Sequence, residues 1–75
     1  MTRAKILCVE DDQDMIDYIK LILGKAGFEV IGADGGAEGL DAMRRELPDL
    51  ILLDLMMPVM DGMEFLAELR ANAAW

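Results

Sequence analysis

The chain has 75 residues, with 15 Asp and Glu against 7 Lys and Arg, a formal charge of −8, 55% hydrophobic residues and 5% aromatic ones. That length allows one small domain with a marginal core. The acidic excess argues against a nucleic-acid-binding module, which gathers Lys and Arg to neutralise phosphates. The single cysteine, Cys8, cannot form an intramolecular disulfide, and the lack of any histidine excludes an imidazole base, ligand or phosphohistidine in this chain.

The apolar runs fall far below the ~20 residues of a membrane helix, and the N-terminus does not read as a signal peptide. A reducing, cytoplasmic setting is expected. One pattern repeats three times: a short apolar run, an acidic or glycine-containing turn, then a stretch at helical spacing. The first strand is predicted over about Lys5 to Val9, and Asp12 is placed to cap the helix that follows. In that helix Met15, Tyr18, Ile19, Ile22 and Leu23 are expected to line one face opposite Asp14, Asp17 and Lys20, with Leu21 among the polar residues and an end near Gly24 and Gly27.

Strand two is predicted over about Glu29 to Ala33. The helix after it carries Leu40, Met43 and Leu47 on one stripe and is ended by Pro48, with Gly36 and Gly39 making it the weakest of the three. Asp49 to Leu53 reads as a parallel strand covered on both faces. The loop Leu55 to Gly62 then leads into a helix with Phe65, Leu66, Leu69 and Ala73 on one side. The units join without a linker into one α/β sheet, in which ligands bind beyond the carboxyl ends of the strands.

Those strand ends carry acids. Glu10 and Asp11 follow strand one, and Asp54 follows strand three, its expected neighbour. Three carboxylates in one crevice repel unless a cation sits among them, and all-oxygen ligands suit Mg²⁺. Asp12, Asp14 and Asp17 are better read as first-turn helix acids. Asp54 stands alone in the apolar stretch Leu52 to Met57, a costly placement without a role. Cys8, inside strand one with no base at hand, reads as a small core residue. Met56, Met57 and Met60 fit either loop packing or an adaptable contact surface.

With these residues in view, the chain closely resembles the receiver domain of two-component response regulators. The resemblance is carried by Lys5 to Asp12, by Gly27 to Val30, and above all by the run from Pro48 to Gly62 that contains Asp54, Pro58 and the Asp61-Gly62 pair. It implies the first three β/α units of a flavodoxin-like doubly wound parallel sheet, in strand order 2-1-3. It implies Asp54 as phosphoacceptor, and Mg²⁺ held by Asp11, Asp54 and the Met56 carbonyl, with Glu10 acting nearby or through water. The implied donor is a sensor histidine kinase or a phosphotransfer protein.

The resemblance spans three of the family's five β/α units. The Ser or Thr and the Lys that the family places on later strands have no counterpart in residues 1–75, so phosphorylation is expected to be impaired. A bare third strand and an uncovered first helix are expected to draw in a second copy, giving a homo-oligomer. The alternative is a half-domain that self-associates without signalling. A metal-dependent hydrolase ranks last, for want of further acid/base groups.

Overall fold

A computed structural model describes residues 3–54, 62–72 and 75. The elements run β1 (Lys5–Glu10), α1 (Gln13–Lys25), β2 (Glu29–Asp34), α2 (Gly36–Arg45), β3 (Leu50–Leu53) and α3 (Gly62–Ala71). The strands form one parallel sheet in the order β2-β1-β3, the order that the resemblance to receiver domains implies. In register, Cys8 sits between Gly32 of β2 and Leu52 of β3.

The strand period of two divides the sheet into two unlike faces. Leu7, Val9 and Ala33 point toward α2 and α3, where they pack with Leu40, Ala42, Met43 and Phe65, and Ile31, Ile51, Leu53 and Leu69 border this core. The other face carries Ile6 and Cys8 in the centre and Leu50 and Leu52 on β3, and α1 covers it only over β1 and β2. Leu50 is therefore 54% exposed. The expectation that β3 is covered on both faces is corrected: among the described residues one face is covered and the other is open.

The cause is the position of α1, which also divides its predicted apolar stripe. Ile16 is the fully buried residue of the helix, Ile19 and Leu23 are half-buried, and Met15, Tyr18 and Ile22 are exposed. Gly32 admits α1 to β2, since a Cβ there would lie 2.6 Å from Ile16 Cγ2 and 3.2 Å from Lys20 Cε.

Local chemistry sets the ends of α1. The Asp12 carboxylate accepts the Asp14 and Met15 N–H groups as N-cap. At the other end Gly27 adopts φ +96°, while the Phe28 N–H donates to the Leu23 carbonyl and the Gly27 N–H to the Gly24 carbonyl. This is a Schellman arrangement, in which glycine carries the left-handed position. Gly27 ends the helix as expected, but Gly24 lies within its last turn.

Helix α2 ends at Arg45, not at Pro48, because Glu46 is already extended and Leu47 precedes proline, a position biased away from helix. Leu47 is consequently 55% exposed and absent from the core. Gly39, read from sequence as a weakness, has a packing reason: a Cβ would meet Phe65 Cε1 at 2.7 Å and Val9 Cγ2 at 3.0 Å. Gly35 precedes the helix at φ +96°, and Glu38 reaches back to accept the Asp34 N–H at 2.6 Å.

Candidate metal and phosphoacceptor site

The site forms at the carboxyl end of the two adjacent strands. Glu10 is the last residue of β1, Asp11 follows it, and Asp54 follows β3, held there by its N–H donating to the Val9 carbonyl at 3.0 Å. One carboxylate oxygen from each of Glu10, Asp11 and Asp54 lies within 4.8 Å of the others. Glu10 and Asp54 are half-buried and Asp11 is exposed, so the crevice opens to solvent on one side.

This crowding acts on Glu10. Its carboxyl is pushed above the usual range chiefly by loss of hydration, with Asp11 and Asp54 reinforcing the shift as hydrogen-bonding neighbours, and the Asp12 N–H opposing it. That N–H donates to Glu10 Oε1 at 3.2 Å. Beneath the crevice the buried Cys8 thiol is also pushed up, first by burial and then by the charge of Glu10, with Lys20 opposing. Cys8 is thus a neutral core residue, in keeping with its reading from sequence.

The donor set fits a hard divalent cation. It offers carboxylate oxygens from three residues, no nitrogen or sulfur, and an exposed side on which waters complete the coordination. Glu10, Asp11 and Asp54 are thus brought together as the sequence predicts. Met56, together with Met57, Pro58 and Met60, lies outside the described residues, while Gly62 is buried at the start of α3.

Sequence reasoning missed the wall beside the acids. Glu10 and Asp54 form one end of an open groove of about 340 Å³ that runs between α1 and β3 and is lined by Cys8, Met15, Ile19 and Leu52. The signal was available in Met15, one helical turn after Asp11, but the helical period alone does not show where the covering of β3 stops.

An open parallel α/β sheet with a carboxylate cluster beyond adjacent strand ends defines a flavodoxin-type fold of the CheY-like kind. The model of the response regulator receiver domain family matches residues 6–75, and the chain belongs to that family. Among curated relatives it is 41% identical over 66 residues to the alkaline phosphatase synthesis transcriptional regulatory protein PhoP of Bacillus subtilis, covering 88% of this chain and 28% of that protein. It is 42% identical over 67 residues to the transcriptional regulatory protein GlrR of Escherichia coli, covering 89% of this chain and 15% of the relative. The chain therefore spans less than a third of the length of these relatives.

Among solved structures, the N-terminal domain of a response regulator receiver protein from Methanoculleus marisnigri superposes with TM-score 0.93 at 37% identity, covering 97% of this chain and 59% of that one. The response regulator TrrA of Thermotoga maritima, solved in complex with Mg²⁺ and BeF, gives 0.86 at 31% identity, covering 95% and 62%.

Proposed function

We propose that this chain is a phosphoacceptor module of a two-component phosphorelay, accepting a phosphoryl group on Asp54 with Mg²⁺ held by Glu10, Asp11 and Asp54. The observation that carries the reading is the convergence of three carboxylate oxygens within 4.8 Å at the ends of β1 and β3. It is supported by family membership and by the Mg²⁺ and BeF bound in a similar receiver. The Met56 carbonyl, implied by the resemblance, is a further proposed ligand. When bound, the cation supplies charge neutralisation for the transferring phosphoryl oxygens.

Asp54 attacks phosphorus as a carboxylate, so no base is needed and the lack of histidine is no obstacle. An Asp54 Oδ–P bond forms, the P–N bond of a donor phosphohistidine breaks, and the released imidazole nitrogen keeps the electron pair. The donor is a sensor histidine kinase or a phosphotransfer protein, and neither nucleic acid nor membrane is a partner. Among the described residues, no helix is long and apolar enough to cross a membrane. We place the module in the cytoplasm, as a signalling switch without turnover, and with a second copy on its open face.

Transfer to the isolated chain is expected to be slow, because the hydroxyl and Lys that the family carries on later strands have no counterpart in these residues. Incubation with acetyl phosphate and Mg²⁺ followed by intact mass measurement tests the reading. The expected result is slow, substoichiometric gain of one phosphoryl group that Asp54→Asn and EDTA both abolish. No gain at all, or a gain that persists in Asp54→Asn, overturns the assignment.

A further inference from the structure

We propose that Asp49, before the first residue of β3, is a positioning residue for Asp54: by clamping Lys5 of β1 it fixes the register that sets the phosphoacceptor beside Glu10 and Asp11. The inference rests on the site proposed above and names the residue that holds it in place from the opposite end of the sheet.

Strand β3 does little to choose its own register. It reads Leu50-Ile51-Leu52-Leu53, four apolar residues of nearly one size. Register is ordinarily specified because a slip by one residue carries a hydrophobic set to the wrong face. In β3 a slip exchanges one leucine or isoleucine for another, so packing opposes it only weakly. The site does not tolerate it at all. The observed register pairs Ile6 with Leu50 through Val9 with Leu53, and continued by one residue at each end it sets Lys5 against Asp49 and Glu10 against Asp54. Leucine flanks Asp54 on both sides, so a slip in either direction places a leucine opposite Glu10.

The amino end of the pairing is held by one pair of residues used twice. The Asp49 N–H donates to the Lys5 carbonyl at 2.8 Å, and the Lys5 N–H donates back to Asp49 Oδ2 at 2.8 Å. The carboxylate makes the second bond charge-assisted and specific to this residue. A slip sets Pro48 or Leu50 against Lys5, and neither side chain accepts a hydrogen bond, while proline has no N–H to give. The Lys5 ammonium also pairs with the Glu46 carboxylate in the connection from α2, although both are partly exposed and the pair contributes little. At the far end the Asp54 N–H donates to the Val9 carbonyl, but a leucine there would make the same backbone bond. The Asp49 carboxylate is thus what tells the registers apart, and it acts about 16 Å from the chemistry, along the length of β1.

Amide exchange and Mg²⁺ titration of the full chain, both followed by NMR, test the proposal. In the parent the Lys5 amide is expected to be protected although it opens its strand; an unprotected Lys5 amide overturns the clamp. Asp49→Ala is expected to speed exchange of the Asp54 amide about tenfold or more while that of the buried Met43 in α2 changes less than about threefold. General loosening of the fold would speed both alike and overturns the positioning role. The same variant is expected to raise the apparent Mg²⁺ dissociation constant and to slow acetyl phosphate transfer by one common factor, about threefold or more, the reciprocal of the fraction left in register. Asp49→Asn makes the same change of charge but keeps an acceptor oxygen, and is expected to stay within about twofold of the parent in all three measurements. An asparagine variant as impaired as alanine overturns the proposal, because charge and not the hydrogen bond would then be the cause. Should Asp49→Ala not fold, the parent's Lys5 amide and Asp49→Asn still decide. A parent that protects Lys5 and Asp54 yet neither binds Mg²⁺ nor gains a phosphoryl group defeats the phosphoacceptor reading, and the exchange measurements then judge the register clamp by themselves.

Discussion

The two faces of the sheet are built from the same three strands and meet different fates. On the α2/α3 face, Leu7, Val9, Ala33, Leu40, Ala42, Met43 and Phe65 are all 6% exposed or less and form one cluster. On the α1 face, Ile6, Cys8 and Ile16 are as deeply buried, but Leu50 and the Met15-Tyr18-Ile22 flank remain in water. Among the described residues, two helices cover one side and a single helix, set over β1 and β2, covers the other. The closed face holds the chain together, while the carboxylate crevice lies at the strand ends beside the less covered one.

The division is broken most severely by emptying the closed face. Phe65 is fully buried against α2 and β1, so Phe65→Ala is expected to cost about 3–5 kcal/mol. A domain of this size commonly holds only about 5 kcal/mol in all. The variant is expected to be largely unfolded by circular dichroism at room temperature. A cooperative urea transition near that of the parent would show that the cluster is not what holds the fold.

A matched pair of glycines sharpens the comparison at smaller scale. Both lie inside helices, where alanine gains about 1 kcal/mol in propensity. Gly39→Ala on the closed face must displace Phe65 and Val9, and the overpacking, about 1–3 kcal/mol, leaves a net loss. Gly24→Ala on α1 meets nothing within 4 Å and is expected to stabilise by up to about 1 kcal/mol. Urea midpoints moving in opposite directions are the expected outcome. Movement in the same direction would show the faces to be packed alike.

Much of this was legible in the sequence, and the exceptions share a cause. Asp12 as cap, Gly27 as terminator, and the meeting of Glu10, Asp11 and Asp54 follow from local chemistry or from the alternating pattern, and the order β2-β1-β3 from the resemblance to receiver domains. The apolar arc of α1 is legible, but nothing local singles out the buried Ile16 or separates the exposed Met15, Tyr18 and Ile22 from the half-buried Ile19 and Leu23. The period identifies an apolar arc without saying which part of it has a strand beneath and which overlooks bare β3. Leu47 fits the stripe of α2 by spacing, yet the extended Glu46 removes it from the helix. Gly39 read as a defect because the aromatic ring against it arrives from α3, a contact no local window contains.

The smallest expected effect belongs to the open face and is read through pH. In the metal-free chain Glu10 holds its proton more tightly when folded than at its ordinary value near 4.5, mainly because it is partly dehydrated beside Asp11 and Asp54. A carboxyl whose folded pKa is raised contributes stability that is fully present below the unfolded pKa and is lost as pH rises through the folded one. With EDTA present, stability is therefore expected to increase modestly as pH is lowered from neutral through the window just above 4.5, before general acid unfolding sets in. Glu10→Gln removes the titrating group and is expected to flatten that slope while raising the melting temperature at neutral pH. Mg²⁺ is expected to flatten it too, since it stabilises the charged form, and at ten times its dissociation constant it adds about 1.4 kcal/mol. The slope is measured by thermal melts across pH with and without Mg²⁺. An unchanged slope in Glu10→Gln would place the repulsion elsewhere than in this crevice.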